Sequence, residues 1–350
     1  MTTAMRTRHS PRFLDALAPY LGGKRKLLGA IAKVLPPPSE APVLLDAFLG
    51  GGSVSLWAKR RGYRVIANDV AERSVVVGKA LIENDRRPLY HDDVTRLFTK
   101  RFAEPGFVER TFAGEVIPTV HARFLDLVFA AARGLNETRS ALLRLLAVKY
   151  VLSLRPMGNF GAKTVMRQME ARQWEEMNPS VLRDCFTSRI QSHPRVLAEE
   201  LRRKINRGIF ANGQVNEVRQ GDVFDFLAGV EGDVAYLDPP YGGTQAYETA
   251  LQPLDSMLAG RLVQPTPSAF SGRRATEVLN DLIAECRRIP RLVLSYGNAA
   301  MSPEAVAELV RRHRHDVQLH VIRHTHLAAI ANADTKARNL EILIAAGDSR

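Results

Sequence analysis

The sequence predicts an α/β fold built around a mostly parallel sheet, on two observations. A strand over 43–48, a glycine turn, a helix over 54–61 and a second strand over 64–69 form a βαβ unit, whose strands run parallel. The apolar run 234–237 is typical of another buried strand, over 233–237. That strand must end at the proline pair 239–240, because consecutive prolines cannot donate to a sheet ladder.

The remaining elements follow along the chain. Apolar spacing predicts helices over 25–35, 121–135, 138–154, 194–207, 274–287 and 303–313. Apolar runs predict strands near residue 218 and over 291–296, 317–322 and 340–345. Two segments are expected to lack fixed structure, a mobile arm at 1–18 and a Gly/Pro/Ser/Thr-rich flap at 242–272. The chain thus divides into two sheet-forming parts, 1–95 and 216–350, and an inserted, mainly helical lobe, 96–215.

Composition narrows the class of protein. With 350 residues and 45% apolar content, the chain can bury a sizeable core. The net charge of +12 favours a polyanionic partner, although a solubility charge or a GC-rich genome that favours arginine would produce the same balance. Two distant cysteines predict a reducing compartment and no disulfide framework. We see neither a membrane span nor a secretory signal, so a cytoplasmic protein is expected.

The glycine turn after the first strand is a candidate ligand site. Asp46 ends that strand, and Gly50, Gly52 and Ser53 lead into the following helix. Glycines allow a ligand to approach the backbone, and an acid at this place suits an amino acid or nucleoside better than a pyrophosphate. The spacing is not the dinucleotide-binding fingerprint, and an ordinary tight turn is the alternative.

Three other polar residues each allow two interpretations. Asp69, at the end of the second strand, could bind ribose hydroxyls or cap the next helix. Asp222 could accept a hydrogen bond from an adenine amino group, with Phe224 packing on the ring, or could likewise cap a helix. Lys24, preceded by Tyr20 and Gly23, could bind a carboxylate or be a solvated lysine at a helix start.

The Asp-Pro-Pro-Tyr stretch, residues 238–241, could hold a planar amine. It offers the Asp238 carboxylate, the Pro239 carbonyl and the Tyr241 ring at the carboxyl edge of the sheet, where open α/β sheets bind ligands. Five of the nine histidines lie between His313 and His326, but no Cys or acid cluster accompanies them, so a metal site is not favoured.

In combination, these motifs resemble the Dam-like, alpha-group adenine DNA methyltransferases. The similar segments are the Gly-Gly-Lys box at 22–24, the box at 46–53 (with Ala47 replacing the usual Pro), Asp69, the Gly-Asp-Val-Phe box at 221–224, the box at 238–241 and the later strands at 294–298 and 340–344. The resemblance covers about 18–95 and 215–346. It implies a Rossmann-like class I methyltransferase fold with a mostly parallel seven-stranded sheet.

The resemblance also implies S-adenosylmethionine as methyl donor and a flipped adenine of double-stranded DNA as acceptor. The cofactor would be bound by Tyr20, Gly23, Lys24, Asp46, Phe48, Gly50, Gly52, Ser53, Asp69, Asp222, Val223 and Asp238. The catalytic residues would be Asp238, Pro239, Pro240 and Tyr241, with Asp238 and the Pro239 carbonyl each accepting one amino N–H and Tyr241 stacking on the base.

The middle lobe departs from the family at the loop that usually enters the duplex. Here the loop carries Arg155, Asn159, Phe160 and Lys163, which would contact DNA together with Tyr247. The stretch 258–273 has no family counterpart, and its arginines would close over DNA or belong to a disordered linker. An RNA methyltransferase and a non-catalytic DNA-binding subunit remain alternatives, and restriction or defence components are possible partners.

Overall fold

The computed structural model describes residues 11–20, 22–99, 104–155, 187–240, 247–323 and 340–347, with 160, 166–168 and 171; only the backbone of residue 247 is included. Its strands are β1 (Val43–Asp46), β2 (Arg64–Asp69), β3 (Glu217–Gln220), β4 (Val234–Leu237), β5 (Arg291–Gly297), β6 (Gln318–Arg323) and β7 (Leu340–Ala346). Its helices are α1 (Leu28–Val34), α2 (Ser53–Arg61), α3 (Glu72–Leu81), α4 (His91–Thr95), α5 (Phe107–Phe112), α6 (Thr119–Ala132), α7 (Glu137–Leu154), α8 (Pro194–Asn206), α9 (Val223–Ala228), α10 (Tyr247–Ala259), α11 (Ala275–Glu285) and α12 (Pro303–Arg311).

The strands form one seven-stranded sheet in the order β3-β2-β1-β4-β5-β7-β6. The pairs from β3 to β5 are parallel, whereas β7 runs antiparallel to both β5 and β6. The predicted mostly parallel, seven-stranded sheet is therefore confirmed. The strand order changes direction between β1 and β4, which is where open α/β sheets form their ligand crevice.

Both faces of the sheet are covered by helices. On one face, α9, α11 and α12 pack over alternate residues of β4 and β5. The other face belongs to a larger core that includes α1, α2, α3, α6 and α7. In particular, α7 is buried along most of its length, and it packs against α3, whose apolar residues belong to the same core. The central helices of the 96–215 part are thus continuous with the packing of the sheet.

The expected flap at 242–272 is wrong for its central part. Residues 247–259 form α10, whose buried face carries Leu251, Leu254 and Met257. This spacing of three is helical, and it brings apolar side chains to one face despite the neighbouring turn-forming residues.

The expected mobile arm is also wrong for residues 11–18. Residues 12–16 form a 3-10 helix, and Leu14 and Leu17 are buried. The ammonium of Lys149 donates hydrogen bonds to the carbonyls of Asp15 (2.7 Å) and Leu17 (2.6 Å). Because these bonds join the segment to α7, residues 11–18 are part of the core. Residues 1–10 lie outside the described residues.

None of the described helices is both long and apolar enough to cross a membrane.

Candidate active site

A cavity of about 620 Å³ lies at the carboxyl edge of the sheet. Its wall combines the turn after β1, the ends of β2, β3 and β4, and parts of α3 and α10. Of the predicted cofactor-binding and catalytic residues, these line the cavity: Tyr20, Gly23, Lys24, Asp46, Phe48, Gly50, Ser53, Asp69, Asp222, Val223, Asp238, Pro239 and Pro240. Segments distant in sequence therefore meet at one site large enough for a cofactor-sized ligand.

Asp46 places a buried carboxylate on the cavity wall. The side chain is 1% exposed, and its Oδ2 accepts a hydrogen bond from the Ser55 hydroxyl (2.6 Å). Its Oδ1 has no hydrogen-bond partner among the described residues. Burial raises the pKa of Asp46 to about 7, the Ser55 hydrogen bond opposes this rise, and the charges of Asp238 and Asp69 add to it. A buried acceptor left in this way suits a cationic donor from a ligand.

Asp69 holds the glycine turn in place. The Gly50 N–H donates to its Oδ2 (2.7 Å), and the Ala71 N–H donates to its Oδ1 (2.8 Å). Gly50 has a φ of +52°, a left-handed conformation that favours glycine. A carboxylate oxygen has two lone pairs, so Asp69 can both organise the turn and accept ligand hydroxyls. The alternative that Asp69 caps the next helix is wrong, because the N-cap of α3 is Ala71 and no side chain caps it. The ligand alternative is compatible with the role of Asp69 in the turn.

Gly52 has a structural position rather than one on the cavity wall. Its φ is +75°, and a Cβ there would lie 2.9 Å from Cγ1 of Val77 on α3. It is absent from the residues that line the cavity. The glycine is required by the turn and by the close approach of α3.

Asp222 caps α9, as one of its two interpretations predicted. Its carboxylate accepts a hydrogen bond from the Phe224 N–H (2.8 Å). Asp222 and Phe224 both line the cavity, so capping places the acid at the ligand site. Phe224 lies near the ring of Phe270, which itself contacts Phe48 edge-on. These three rings form an aromatic wall suited to a flat ligand ring.

Arg73 was missed by the sequence analysis. It is nearly buried on α3, donates to the Tyr20 hydroxyl (3.1 Å) and forms an ion pair with Asp255 on α10. These three residues line one end of the cavity. The available signal was a single arginine beside an apolar stretch of α3, but its partners lie far away in sequence.

Lys24 is buried, so the alternative of a solvated lysine is wrong. Its side chain is 4% exposed, and its ammonium lies 2.8 Å from Asp238 Oδ1 and 3.2 Å from Glu341 Oε1. The lysine expected to bind a ligand carboxylate thus pairs with two carboxylates of the protein. Glu341 was also missed; its signal was one acid within the apolar strand β7.

The predicted DNA-contacting loop is described only in part. Arg155 is fully buried, and its guanidinium lies 6.0 Å from the centre of the Phe160 ring, which is also buried. In this conformation neither side chain is at the surface, so contact of either with DNA requires the loop to rearrange. Asn159, Lys163, Tyr241 and the side chain of Tyr247 lie outside the described residues.

Two comparisons with known proteins agree with this geometry. Residues 20–151 match the family described as D12 class N6 adenine-specific DNA methyltransferase. The chain is 28% identical over 330 residues to the type II methyltransferase M2.HphI of Haemophilus parahaemolyticus, covering 93% of this chain and 95% of that protein. The family match ends before β3 and β4, whereas the similarity to the relative includes the Asp238 region.

Proposed function

We propose that the chain is a D12-class N6 adenine-specific DNA methyltransferase, which methylates the 6-amino group of a flipped adenine in duplex DNA with S-adenosylmethionine as donor. The family match over residues 20–151 and the similarity to the type II methyltransferase support this proposal. The observation that carries this proposal is the position of Asp238 and Pro239 on the wall of one cavity with Asp46 and Asp69. Two acceptors suited to an amine, Asp238 and the Pro239 carbonyl, thus lie in the same cavity as two acids suited to a cofactor, Asp46 and Asp69.

The cavity residues fit S-adenosylmethionine. When bound, this cofactor supplies an activated methyl group on a positively charged sulfonium. The buried, unpartnered Oδ1 of Asp46 is suited to an ammonium group, and Asp69 to ribose hydroxyls. Phe48, Phe224 and Phe270 provide apolar faces for an adenine ring. The acids on the wall favour a ligand whose net charge is positive.

The protein's contribution to transfer is to orient the target amine. Asp238 and the Pro239 carbonyl each accept one N–H, which localises the nitrogen lone pair and directs it away from both acceptors. Such positioning supplies much of the rate without a strong base. Tyr241 would stack on the base, which remains a prediction because that residue lies outside the described part.

Base flipping follows from the position of the acceptors. Asp238 is 19% exposed and lies on a concave wall, where a base stacked inside a duplex cannot reach it. The net charge of +12 favours the phosphate contacts that offset the energy of unstacking. Asn159, Lys163 and Tyr247 stay candidates for these contacts.

The biological setting is also a proposal. Since one relative is a type II methyltransferase, we propose that this chain acts in the cytoplasm on nucleoid DNA, as the modification partner of a restriction or defence system. Modified-base sequencing of genomic DNA from expressing cells would give its recognition sequence. If no sequence context in that DNA contained methylated adenine, the proposal would be contradicted.

Replacing Asp238 tests the catalytic assignment. Asp238→Ala should abolish methyl transfer to duplex DNA while leaving cofactor affinity within about threefold of wild type, because the acceptor of the amine is lost and most of the cofactor wall remains. Transfer is measured with tritiated cofactor and affinity by calorimetry. Full transfer activity in the variant would refute the assignment.

A further inference from the structure

A buried charge cluster lies behind the proposed catalytic carboxylate. Glu341 on β7 is fully buried, Lys24 is 4% exposed, and Asp238 is 19% exposed. The Lys24 ammonium contacts Asp238 Oδ1 at 2.8 Å and Glu341 Oε1 at 3.2 Å. The Ser295 hydroxyl on β5 also donates to Glu341 Oε1, at 2.5 Å. One ammonium thus bridges a carboxylate that directly follows β4 and a carboxylate within β7.

Stability alone does not account for Glu341. Its neighbours along β7, Ile342, Leu343 and Ile344, are all fully buried and apolar. Removing a carboxylate from water is unfavourable, and apolar replacement of buried ion pairs is often neutral or stabilising. The buried Glu341 carboxylate, which contacts both Ser295 and Lys24, is therefore better explained by its effect on the position of the Lys24 ammonium.

We propose that Glu341 is a positioning residue for methyl transfer, which anchors the Lys24 ammonium so that Lys24 holds the Asp238 carboxylate in the orientation that accepts the adenine amino group. This rests on the function proposed above. With a buried anchor on one side, the ammonium presents a fixed donor to Oδ1 of Asp238. A lysine lacking that anchor would move along its flexible side chain, and the carboxylate would rotate with it.

This role differs from direct binding of the cofactor by Lys24, which the sequence analysis predicts. Loss of a cofactor contact would raise the dissociation constant of S-adenosylmethionine. Loss of an Asp238 anchor would instead lower the rate of transfer at saturating cofactor, with the dissociation constant preserved.

The experiment compares wild type, Glu341→Gln, Lys24→Met and the double variant. Single-turnover methylation of duplex DNA gives the rate, and calorimetry gives the cofactor dissociation constant. Glu341→Gln should lower the rate about tenfold to a hundredfold, with the dissociation constant within about twofold, because small displacements of reacting groups reduce rates steeply. The double variant should be no slower than Lys24→Met, since Glu341 acts through Lys24.

Ile342→Val is the matched control for a substitution in β7. Ile342 follows Glu341 in the strand, is buried, and belongs to the core that includes residues of α9, α11 and α12. This variant should keep the wild-type rate. Thermal unfolding reports whether each variant folds. If Glu341→Gln does not fold, Ser295→Ala decides, because it keeps both charges and removes the hydrogen bond to Glu341; a severalfold slower rate is expected.

Three results would overturn the proposal: a wild-type rate in Glu341→Gln, or in Ser295→Ala where Glu341→Gln does not fold; rate losses that multiply in the double variant; or a loss confined to cofactor affinity. Wild-type protein without methylation activity would instead refute the proposed function. The two failures are thus distinguishable in one set of measurements.

Discussion

At the scale of single residues, Asp46 is where burial and charge oppose each other most clearly. Its carboxylate is 1% exposed and faces the charges of Asp238 and Asp69. Burial, as the largest cause, raises its pKa to about 7. In the protein without cofactor, Asp46 is therefore protonated for a substantial fraction of the time near neutral pH, although only its ionised form can pair with an ammonium.

This balance predicts that cofactor affinity depends on pH. Below the raised pKa of about 7, Asp46 gains a proton, so binding of an ammonium must first remove that proton. Affinity should thus fall as pH decreases, and the dissociation constant of S-adenosylmethionine should rise about fifteenfold between pH 7 and pH 5.5. Calorimetry at several pH values measures this directly.

Asp46→Asn is the matched control for that prediction. The amide has nearly the same shape but does not titrate, so the variant should bind more weakly at pH 7 and lose most of the pH dependence. An unchanged dependence in Asp46→Asn would assign the titration to another group on the wall.

Individual acids of the site were predictable because the end of an apolar run marks the end of a strand in the sequence. Asp46, Asp69 and Asp238 each follow an apolar run, and parallel strands bring their carboxyl ends to one edge. Arg73 and Glu341 were not predictable in this way. Their ion pairs are with Asp255 and Lys24, partners that only long-range packing brings within reach.

At the scale of elements, the segment 261–270 contributes to the wall of the cavity. Gln252 on α10 donates to the Val263 carbonyl (2.8 Å), and the Val263 N–H donates to the Ser256 hydroxyl (3.1 Å). At the far end, the buried Phe270 ring lies 5.4 Å from the centre of Phe48 and 6.4 Å from that of Phe224. These contacts attach the segment to α10 and to the site.

Phe270 is therefore predicted to contribute to cofactor binding. Phe270→Ala removes one ring of the aromatic wall and should weaken S-adenosylmethionine binding about threefold to tenfold, in line with the energies of aromatic contacts. Phe270→Leu keeps most of the apolar volume, so its dissociation constant for S-adenosylmethionine should lie between those of Phe270→Ala and wild type. Equal dissociation constants in all three proteins would show that the segment closes the cavity without contacting the cofactor.

Helix α3 approaches the sheet closely because it carries a glycine. A Cβ on Gly78 would lie 2.7 Å from Cγ1 of Val218 on β3 and 2.8 Å from Cδ2 of Leu49. Gly78→Ala should therefore destabilise the protein by about 1–3 kcal/mol, since a packed core must shift to admit the methyl group. Urea denaturation measures the change.

Gly29→Ala provides a comparison with the same chemical change. Gly29 lies in α1, is exposed, and a Cβ there meets nothing within 4 Å. Alanine should stabilise this helix by about 0.5–1 kcal/mol, because it restricts the unfolded chain and favours helix. The two substitutions should have opposite signs. Destabilisation by both would contradict the packing argument.

The elements themselves were predictable to different extents. Helices and strands with clear apolar periodicity agree with the sequence analysis, including α7, α12 and β5. The segment containing α10 was expected to be a flap, because turn-forming residues around it obscured the apolar spacing of Leu251, Leu254 and Met257. The prediction of a flap depended on the residue composition of the flanking sequence, whereas the helix is determined by the apolar face that it buries.

At the scale of the whole molecule, a basic chain surrounds an acidic cavity. The net charge is +12, yet the cavity wall carries Asp46, Asp69, Asp222 and Asp238. The two signs suit two ligands. Acids in the cavity favour a cationic cofactor, and the positive balance elsewhere favours a phosphate backbone. This separation connects a small-molecule site with a macromolecular substrate in one protein.

The separation predicts that salt affects the two ligands differently. DNA affinity of Asp238→Ala, which should bind without transferring methyl groups, should fall linearly in a plot of log affinity against log salt. With about three phosphate contacts, the decrease from 50 to 200 mM salt is about fortyfold, because binding releases condensed counterions. S-adenosylmethionine affinity should change much less, since its contacts are made inside the cavity.

Duplex RNA of the same sequence distinguishes the charge effect from substrate choice. It should compete with DNA for binding at low salt, because phosphate contacts are shared, but wild-type protein should leave it unmethylated, because the A-form duplex presents different groove and backbone geometry. Fluorescence anisotropy measures competition, and tritium incorporation measures transfer. Methylation of RNA at the same rate as DNA would contradict the choice of DNA as the substrate. DNA binding that is insensitive to salt would contradict the phosphate contacts.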